Sequence, residues 1–351
     1  GFQKMSKKIA VLATGANGSC ISADLIRAGL DVSMIDQWPA HVAAMQANGL
    51  TIKTKDDEYN VKVKACHLCD MCEINETFDI VLLTSKAYDS RWLTEFIEPF
   101  LADDGLLIAV QNCMTAEMIA EIVGPERTVG CVVELASQLF DPGEVRRSTL
   151  QGNTWFGLGA FDPAHEDRVE DAAEILRLVG KVGITDDVLS AKWMKLMVNS
   201  MTMAVKGILG ASNEQLFKLN GKEYADEVRS LVLRSGEEAL AAGQLLGYKI
   251  VPVFGLKQDD VMNTNALLET LLDKMVGDVG PTALATSLQD NLKGRYSEID
   301  MINGRIAEEC QSKGKPTPVN DVLVDLTRRI HAGELKPDVS NLDLVRQQLG
   351  R

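Results

Sequence analysis

The chain reads as an α/β protein: a doubly wound, largely parallel sheet in its N-terminal half, followed by an all-helical C-terminal domain. Three observations predict this. Short apolar runs alternate with helix-period segments from Lys8 to about Thr185. Runs such as Phe78 to Ser85 (FDIVLLTS) are nearly all apolar, as strands covered on both faces must be. After about Asp187 the strand signals stop and only helical patterns follow. The expected domains are therefore 1–187 and 188–351, and a chain of 351 residues has the length for two.

The first elements carry the most information. Lys8 to Leu12 (KIAVL) is an apolar strand, Ala13 to Gly18 (ATGANG) a tight turn, and Ser19 to Leu30 follows at helical spacing. Asp31 to Ile35 is a second strand that leads into Asp36, eighteen residues beyond Gly18. Strand, glycine turn, helix, strand and acid is the order of a dinucleotide-binding, Rossmann-type βαβ unit. Gly15 has no Cβ to keep a pyrophosphate away, and Gly18 lets the helix pack close to the strand. The helix N-terminus at Ala16 and Asn17 offers unpaired N–H groups and a positive dipole end to phosphates. Ala13 stands where the pattern usually has its first glycine, which a negative φ would permit. Asp36 can accept hydrogen bonds from ribose hydroxyls and would repel a 2′-phosphate. No Arg or Lys follows in Gln37 to His41. NAD is favoured over NADP. A purely structural glycine turn and an exposed loop acid are the plainer alternatives.

The remaining elements follow in order. Gln37 to Asn48 reads as a helix, and Thr51 to Lys64 as a strand pair around Asp56–Asp57. Phe78 to Ser85 is a strand, Trp92 to Glu98 a helix ended by Pro99, and Gly105 to Val110 a strand. Glu117 to Val123 is a short helix and Arg127 to Val133 a strand. Gly143 to Leu158 looks antiparallel, with hairpin-type spacing; Glu166 to Leu178 is amphipathic and Val182 to Thr185 a short strand. The helices of the second half are Leu189 to Lys206, Lys222 to Leu246, Thr264 to Met275, Pro281 to Leu288, Ser297 to Gln311 and Val319 to Ile330. The polar tail from Lys336 is expected on the surface.

Composition excludes several classes. A net charge of −14 argues against nonspecific nucleic-acid binding. No run of about 18 apolar residues spans a membrane, and no signal peptide is evident, so a cytoplasmic location is expected. Gly1 to Lys4 read as an extension before Met5. Seven cysteines are an odd number, against a disulfide framework. Cys66, Cys69 and Cys72 have a C-x2-C-x2-C spacing, with His67 between, that resembles a metal-ligand run. A fourth cysteine at suitable spacing is missing, so free thiols in a surface loop are expected and no metal.

Further segments sharpen the reading. Ser85-Lys86-Ala87-Tyr88 ends one strand, and Gln111-Asn112-Cys113 follows another. Trp193-Met194-Lys195-Leu196-Met197-Val198-Asn199 opens the helical half; Thr286 to Asp290 (TSLQD) and Ser297 to Gly304 (SEIDMING) come near its end. In this order the segments resemble the ketopantoate reductase (2-dehydropantoate 2-reductase) family, over about Lys8 to Ile330. Lys195 and Asn199 lie four apart on a helix and share one face. A ketone that receives hydride gains negative charge on oxygen, and an ammonium beside it stabilises that charge and supplies a proton.

The resemblance makes Lys195 the general acid, Asn199 a substrate-holding group and Glu298 the residue that orients the lysine or the substrate hydroxyl. It places Lys86 against cofactor or substrate and Asn112 beside the nicotinamide. Asn213, Thr286 and Ser287 become candidates for the substrate carboxylate. Three positions depart from the family pattern. Met203 stands where a second asparagine is common, Cys113 where a glycine is, and Asp36 where NADP-users have a basic or neutral residue. Together they point away from pantoate and towards a larger or more apolar 2-hydroxy acid of the mandelate type. An opine- or β-hydroxyacid-type dehydrogenase and a non-catalytic dinucleotide-binding protein stay open as alternatives. A homodimer is expected, since the helix Lys222 to Leu246 can pack on a partner as readily as on its own domain.

Overall fold

The computed structural model describes residues 6–262, 266–279 and 281–350. The N-terminal extension and the helix start at Thr264 lie outside the described residues. The chain divides into two compact units, one up to Leu189 and one from Ser190.

The first unit carries β1 (Lys8–Leu12), β2 (Asp31–Asp36), β3 (Leu50–Lys53), β4 (Glu58–Val61), β5 (Lys64–His67), β6 (Phe78–Leu83), β7 (Leu101–Val110), β8 (Thr128–Glu134), β9 (Ser137–Gln138), β10 (Glu144–Arg147), β11 (Trp155–Ala160) and β12 (Lys181–Ile184). Its helices are α1 (Ala16–Arg27), α2 (Pro39–Asn48), α3 (Ser90–Ile97), α4 (Ala116–Val123) and α5 (Val169–Leu176). The main sheet has the order β12-β11-β8-β7-β6-β1-β2-β5. It is parallel except where β11 meets β8. Alternate residues of β1 serve opposite faces. Ile9 and Val11 join Ile21 and Leu25 of α1 in one buried cluster, while Ala10 and Leu12 join Leu93, Ile97 and Ile119 in the other. Covering both faces explains why these strands are apolar throughout. From β1 the chain passes to β2 on one side and later returns to β6 on the other. The carboxyl ends of β1 and β6 therefore flank a topological switch point, where open α/β sheets take ligands.

The hairpin expected over Gly143 to Leu158 does not form. β10 belongs to a separate sheet, β4-β3-β10-β9, and pairs parallel with β3 and antiparallel with β9. β11 pairs with β8 and β12. Arg147, at the end of β10, is buried and ion-pairs with Asp24 of α1 at 2.6 Å. It also donates to the carbonyls of Thr149 and Val179. The ion pair ties β10 to α1, and a further bond from Arg147 to Thr154 Oγ1 holds the residue just before β11. Cys66 lies on β5, and Cys69 and Cys72 on the 3-10 turn Leu68–Glu73, in place of an irregular loop. All three are free thiols.

His41 of α2 braces the start of α1. Its Nδ1 accepts from the Gly143 N–H at 2.9 Å, so Nε2 carries the proton and faces Ser19 Oγ at 3.2 Å. Ser19 Oγ in turn donates to the Thr14 carbonyl. Burial pushes the ring's pKa down to about 4. The unfolded chain binds a proton near pH 6.5 and the folded chain does not, so stability falls as pH drops from 6.5 towards 4. The expected loss at pH 5 relative to pH 8 is about 2 kcal/mol. Urea unfolding of the wild type and of His41→Gln at both pH values checks it: the variant should lack this part of the acid sensitivity. Equal acid sensitivity in the two proteins would contradict it.

The second unit contains α6 (Val188–Leu209), a π-helical turn at Gln215–Leu219, α7 (Lys222–Leu246), α8 (Gln258–Met262), α9 (Leu267–Val279), α10 (Thr286–Lys293), α11 (Asn303–Ser312), α12 (Pro318–His331) and α13 (Asn341–Gln348). α7 ends on Gly247, whose φ of 83° provides the left-handed cap. Three expectations are corrected. Residues 281–285 are not helical, and α10 begins only at Thr286. The helix expected over Ser297 to Gln311 is broken at Ile302 (φ −111°, ψ −89°), after the 3-10 turn Ile299–Met301. This break lets Asn303 Nδ2 donate to the Ser200 carbonyl and to Asn320 Oδ1. The tail from Lys336 does not lie wholly on the surface, because α13 buries Leu342 and Val345 and holds Glu227 through Arg346.

Candidate active site

In the first unit the glycine turn is built as a phosphate cradle needs. A Cβ added to Gly15 would meet no atom within 4 Å, so the protein's own packing does not require glycine there. One on Gly18 would sit 2.3 Å from Thr84 Oγ1, so α1 can approach the end of β6 only with glycine. α1 has no side-chain cap and no acid in its first turn, which leaves the N–H groups at Ala16 and Asn17 for an anion. Asn17 Oδ1 accepts from Ser137 Oγ, so this oxygen is engaged by the protein.

The expectation for Ala13 was wrong in sign: its φ is +62°. The backbone keeps the left-handed path of the glycine it replaces, at a cost of about 1 kcal/mol. Bonds from Ala13 N to the Ile35 carbonyl (2.7 Å) and from Thr84 Oγ1 to the Ala13 carbonyl (2.9 Å) hold it there. Cys113 behaves alike, with φ 80° and a fully buried side chain. At both positions a residue with a side chain takes the left-handed backbone that favours glycine.

Asp36 ends β2, is buried, and accepts from the Trp38 N–H at 3.3 Å. Lys86 is half-buried just beyond β6, as N-cap of a short turn at Ala87–Asp89. Asn112 follows β7, and its buried Oδ1 has no hydrogen-bond partner among the described residues. Gln111 is structural. Its Nε2 donates to the Ser85 carbonyl and to Ser90 Oγ, pinning together the chain segments that follow β6 and β7. Gly15, Asp36, Lys86 and Asn112 thus all stand at or just past the carboxyl ends of the neighbouring strands β1, β2, β6 and β7. An uncapped helix end, an open glycine and an orphaned amide oxygen fit a dinucleotide.

In the second unit α6 carries Lys195 and Asn199. Lys195 is buried, its Nζ 3.9 Å from Met275 Sδ and 5.0 Å from the centre of the Phe254 ring. Asn199, one turn on, is fully buried, and neither its Oδ1 nor its Nδ2 has a partner among the described residues. A buried amide with four unused bonding positions costs several kcal/mol unless a ligand supplies partners. Thr286, Ser287 and Glu298 come together in one small recess, lined also by Met203, Ala204, Asp290, Ile299, Ile302 and Asn303. Ser287 Oγ donates to the Met203 carbonyl at 2.8 Å and so braces α10 on α6. Asn213 does not line this recess; its Oδ1 accepts from Lys206 Nζ at 2.9 Å. Sequence reasoning assigned nothing to Asp290 or Lys206. For Lys206 a signal existed: it lies eleven residues from Lys195, about three turns along the same helix.

Two family models match the chain: Ketopantoate reductase PanE/ApbA over residues 9–160 and its C-terminal counterpart over 187–331. A 2-dehydropantoate 2-reductase of Mesorhizobium japonicum is 28% identical over 347 residues, covering 92% of this chain and 97% of its own. One of Pyrococcus horikoshii is 24% identical over 322 residues, covering 92% and 96%. Among solved structures, a PanE/ApbA family ketopantoate reductase from Ralstonia eutropha JMP134 superposes with a TM-score of 0.73 at 27% identity, covering 93% of this chain and 99% of that one. D-mandelate dehydrogenase with NADH and anilino(oxo)acetate superposes with a TM-score of 0.80 at 20% identity, with the same coverage, and shares the fold. With both halves matched, the chain belongs to the ketopantoate reductase family and, with it, to the nicotinamide-dependent oxidoreductases that act on CH–OH groups.

Proposed function

We propose that the protein uses NAD to interconvert a 2-oxo acid and its 2-hydroxy acid at C2, and that the substrate carries an apolar group larger than that of pantoate. The observation that carries this reading is the pair on α6, a buried ammonium at Lys195 and, one turn on, the wholly unpartnered amide of Asn199. When bound, the nicotinamide gives or takes the hydride. Lys195 donates the proton to the oxygen that becomes negative in reduction and takes it back in oxidation. Asn199 holds the substrate through the bonds it lacks in the free protein. Glu298 lines the recess with Thr286 and Ser287 and orients the substrate hydroxyl.

The size preference rests on the recess. Met203, Ala204, Ile299 and Ile302 give it an apolar wall, with Met203 a flexible thioether where an amide is common in the family. Such a wall suits an aryl or branched side chain, in keeping with the anilino(oxo)acetate named with the structurally similar D-mandelate dehydrogenase. The NAD preference rests on Asp36.

A plate of 2-oxo acids, including 2-dehydropantoate and phenylglyoxylate, with NADH and NADPH separately, tests the reading by absorbance at the nicotinamide band. Turnover is expected to be fastest with the bulky apolar acids and NADH. Turnover that needs an added amine would favour an opine-type dehydrogenase. Cofactor binding with no turnover across the plate would favour a non-catalytic protein.

A further inference from the structure

We infer that Lys206 is a second cationic residue of the substrate site and that its ammonium pairs with the carboxylate of the 2-oxo acid. The assignment rests on the function proposed above and extends it to a residue outside the sequence-derived site.

Position comes first. Lys195, Asn199, Thr202 and Lys206 form one stripe along α6, because intervals of four, three and four residues return to the same face. All four are buried. Lys192, three residues before Lys195, is buried on the same stripe, and Leu196, Met197, Val198, Met201, Val205 and Ile208 lie in the core beside it, with Ser200 Oγ donating to the Met197 carbonyl. A polar stripe along a buried helix faces either other protein polar groups or a ligand. Asn199, with no partner, shows that the stripe is not satisfied from within the protein.

Partners come second. Lys206 is 6% exposed, and its one hydrogen bond among the described residues goes to the neutral amide oxygen of Asn213, at 2.9 Å. Among the described residues it takes part in no ion pair. Elsewhere in the protein the buried Arg147 has its carboxylate, Asp24, at 2.6 Å. A buried ammonium without a counter-ion is unfavourable by several kcal/mol, and a lysine kept only for stability would be expected to have an acid beside it. Burial, with the positive charge of Lys195 as the second cause, lowers the pKa of Lys206 to about 8.

Location comes third. Met203, one turn before Lys206, lines the recess, and Ser287 at the start of α10 is bonded to the Met203 carbonyl. Next to Lys206, Gly207 leaves room for α10: a Cβ there would come within 3.3 Å of Ser287 Oγ and Asn291 Nδ2. Lys206 thus stands beside the helix start that carries two of the recess residues. A 2-oxo acid has two oxygen-bearing groups on adjacent carbons. Lys195 serves the carbonyl that reacts, and Lys206 serves the carboxylate that does not.

Binding of anilino(oxo)acetate and of its uncharged ethyl ester to the NADH complex tests this, by calorimetry on the wild type, Lys206→Met and Lys206→Gln. Losing a buried charge-assisted bond should weaken binding of the acid by about 10- to 100-fold in both variants. Ester binding should not change. In turnover, KM for the 2-oxo acid should rise more than kcat falls. Gln can still donate to Asn213 and Met removes the charge outright, so neither variant should melt below the wild type. Equal loss for acid and ester, no loss in either, or a lowered melting temperature with unchanged selectivity for the acid would overturn the role of Lys206. A wild type that binds neither compound would instead overturn the 2-oxo-acid reading itself.

Discussion

Lys195→Met is expected to lower kcat by about 1,000-fold while leaving NADH binding unchanged. The hydride leaves an alkoxide-like oxygen that needs a proton and a positive charge, and a positioned general acid contributes about 100- to 10,000-fold. The Lys195 ammonium lies against Phe254 and Met275, in surroundings with little water to take its place. Methionine has nearly the length of lysine and suits those neighbours, so the fold should persist. Single-turnover oxidation of NADH by a validated 2-oxo acid is the measurement. It reads the chemical step apart from product release. Full activity in the variant would remove Lys195 from the chemistry.

The second large effect concerns the cofactor. NADH is expected to exceed NADPH in kcat/KM by about 100-fold or more. Asp36 is buried at the end of β2, and a 2′-phosphate would bring close to two further negative charges to it. Such repulsion costs several kcal/mol in a site of low polarity. Asp36→Ser should narrow the gap from both sides, by losing the ribose hydrogen bonds of NAD and removing the repulsion of NADP. If the variant keeps the full preference, the selectivity lies elsewhere in the first unit.

Much of this was legible in the sequence, for identifiable reasons. The βαβ unit was readable because its parts are local and ordered, and Gly18 has the packing role inferred for it. The bounds of α7 were readable because a long amphipathic run ends at Gly247. The misreadings share a cause in contacts distant along the chain. β10 pairs with β3, about ninety residues earlier, drawn by Arg147 to Asp24, and nothing local to residues 143–158 reveals it. The break at Ile302 serves the bonds of Asn303 to Ser200 and Asn320, which a helical period does not encode. Ala13 keeps a glycine's φ because bonds from β2 and Thr84 impose it. Lys206 carried no assignment in the sequence, since its burial depends on what packs over α6.

The most direct test of C2 hydride transfer is mass spectrometry of the product formed from phenylglyoxylate with NADH deuterated at C4 of the nicotinamide, using both C4 epimers. One epimer should yield a 2-hydroxy acid with a single deuterium at C2, and the other an unlabelled one. Label at any other carbon, or a product without label from both epimers, would contradict it.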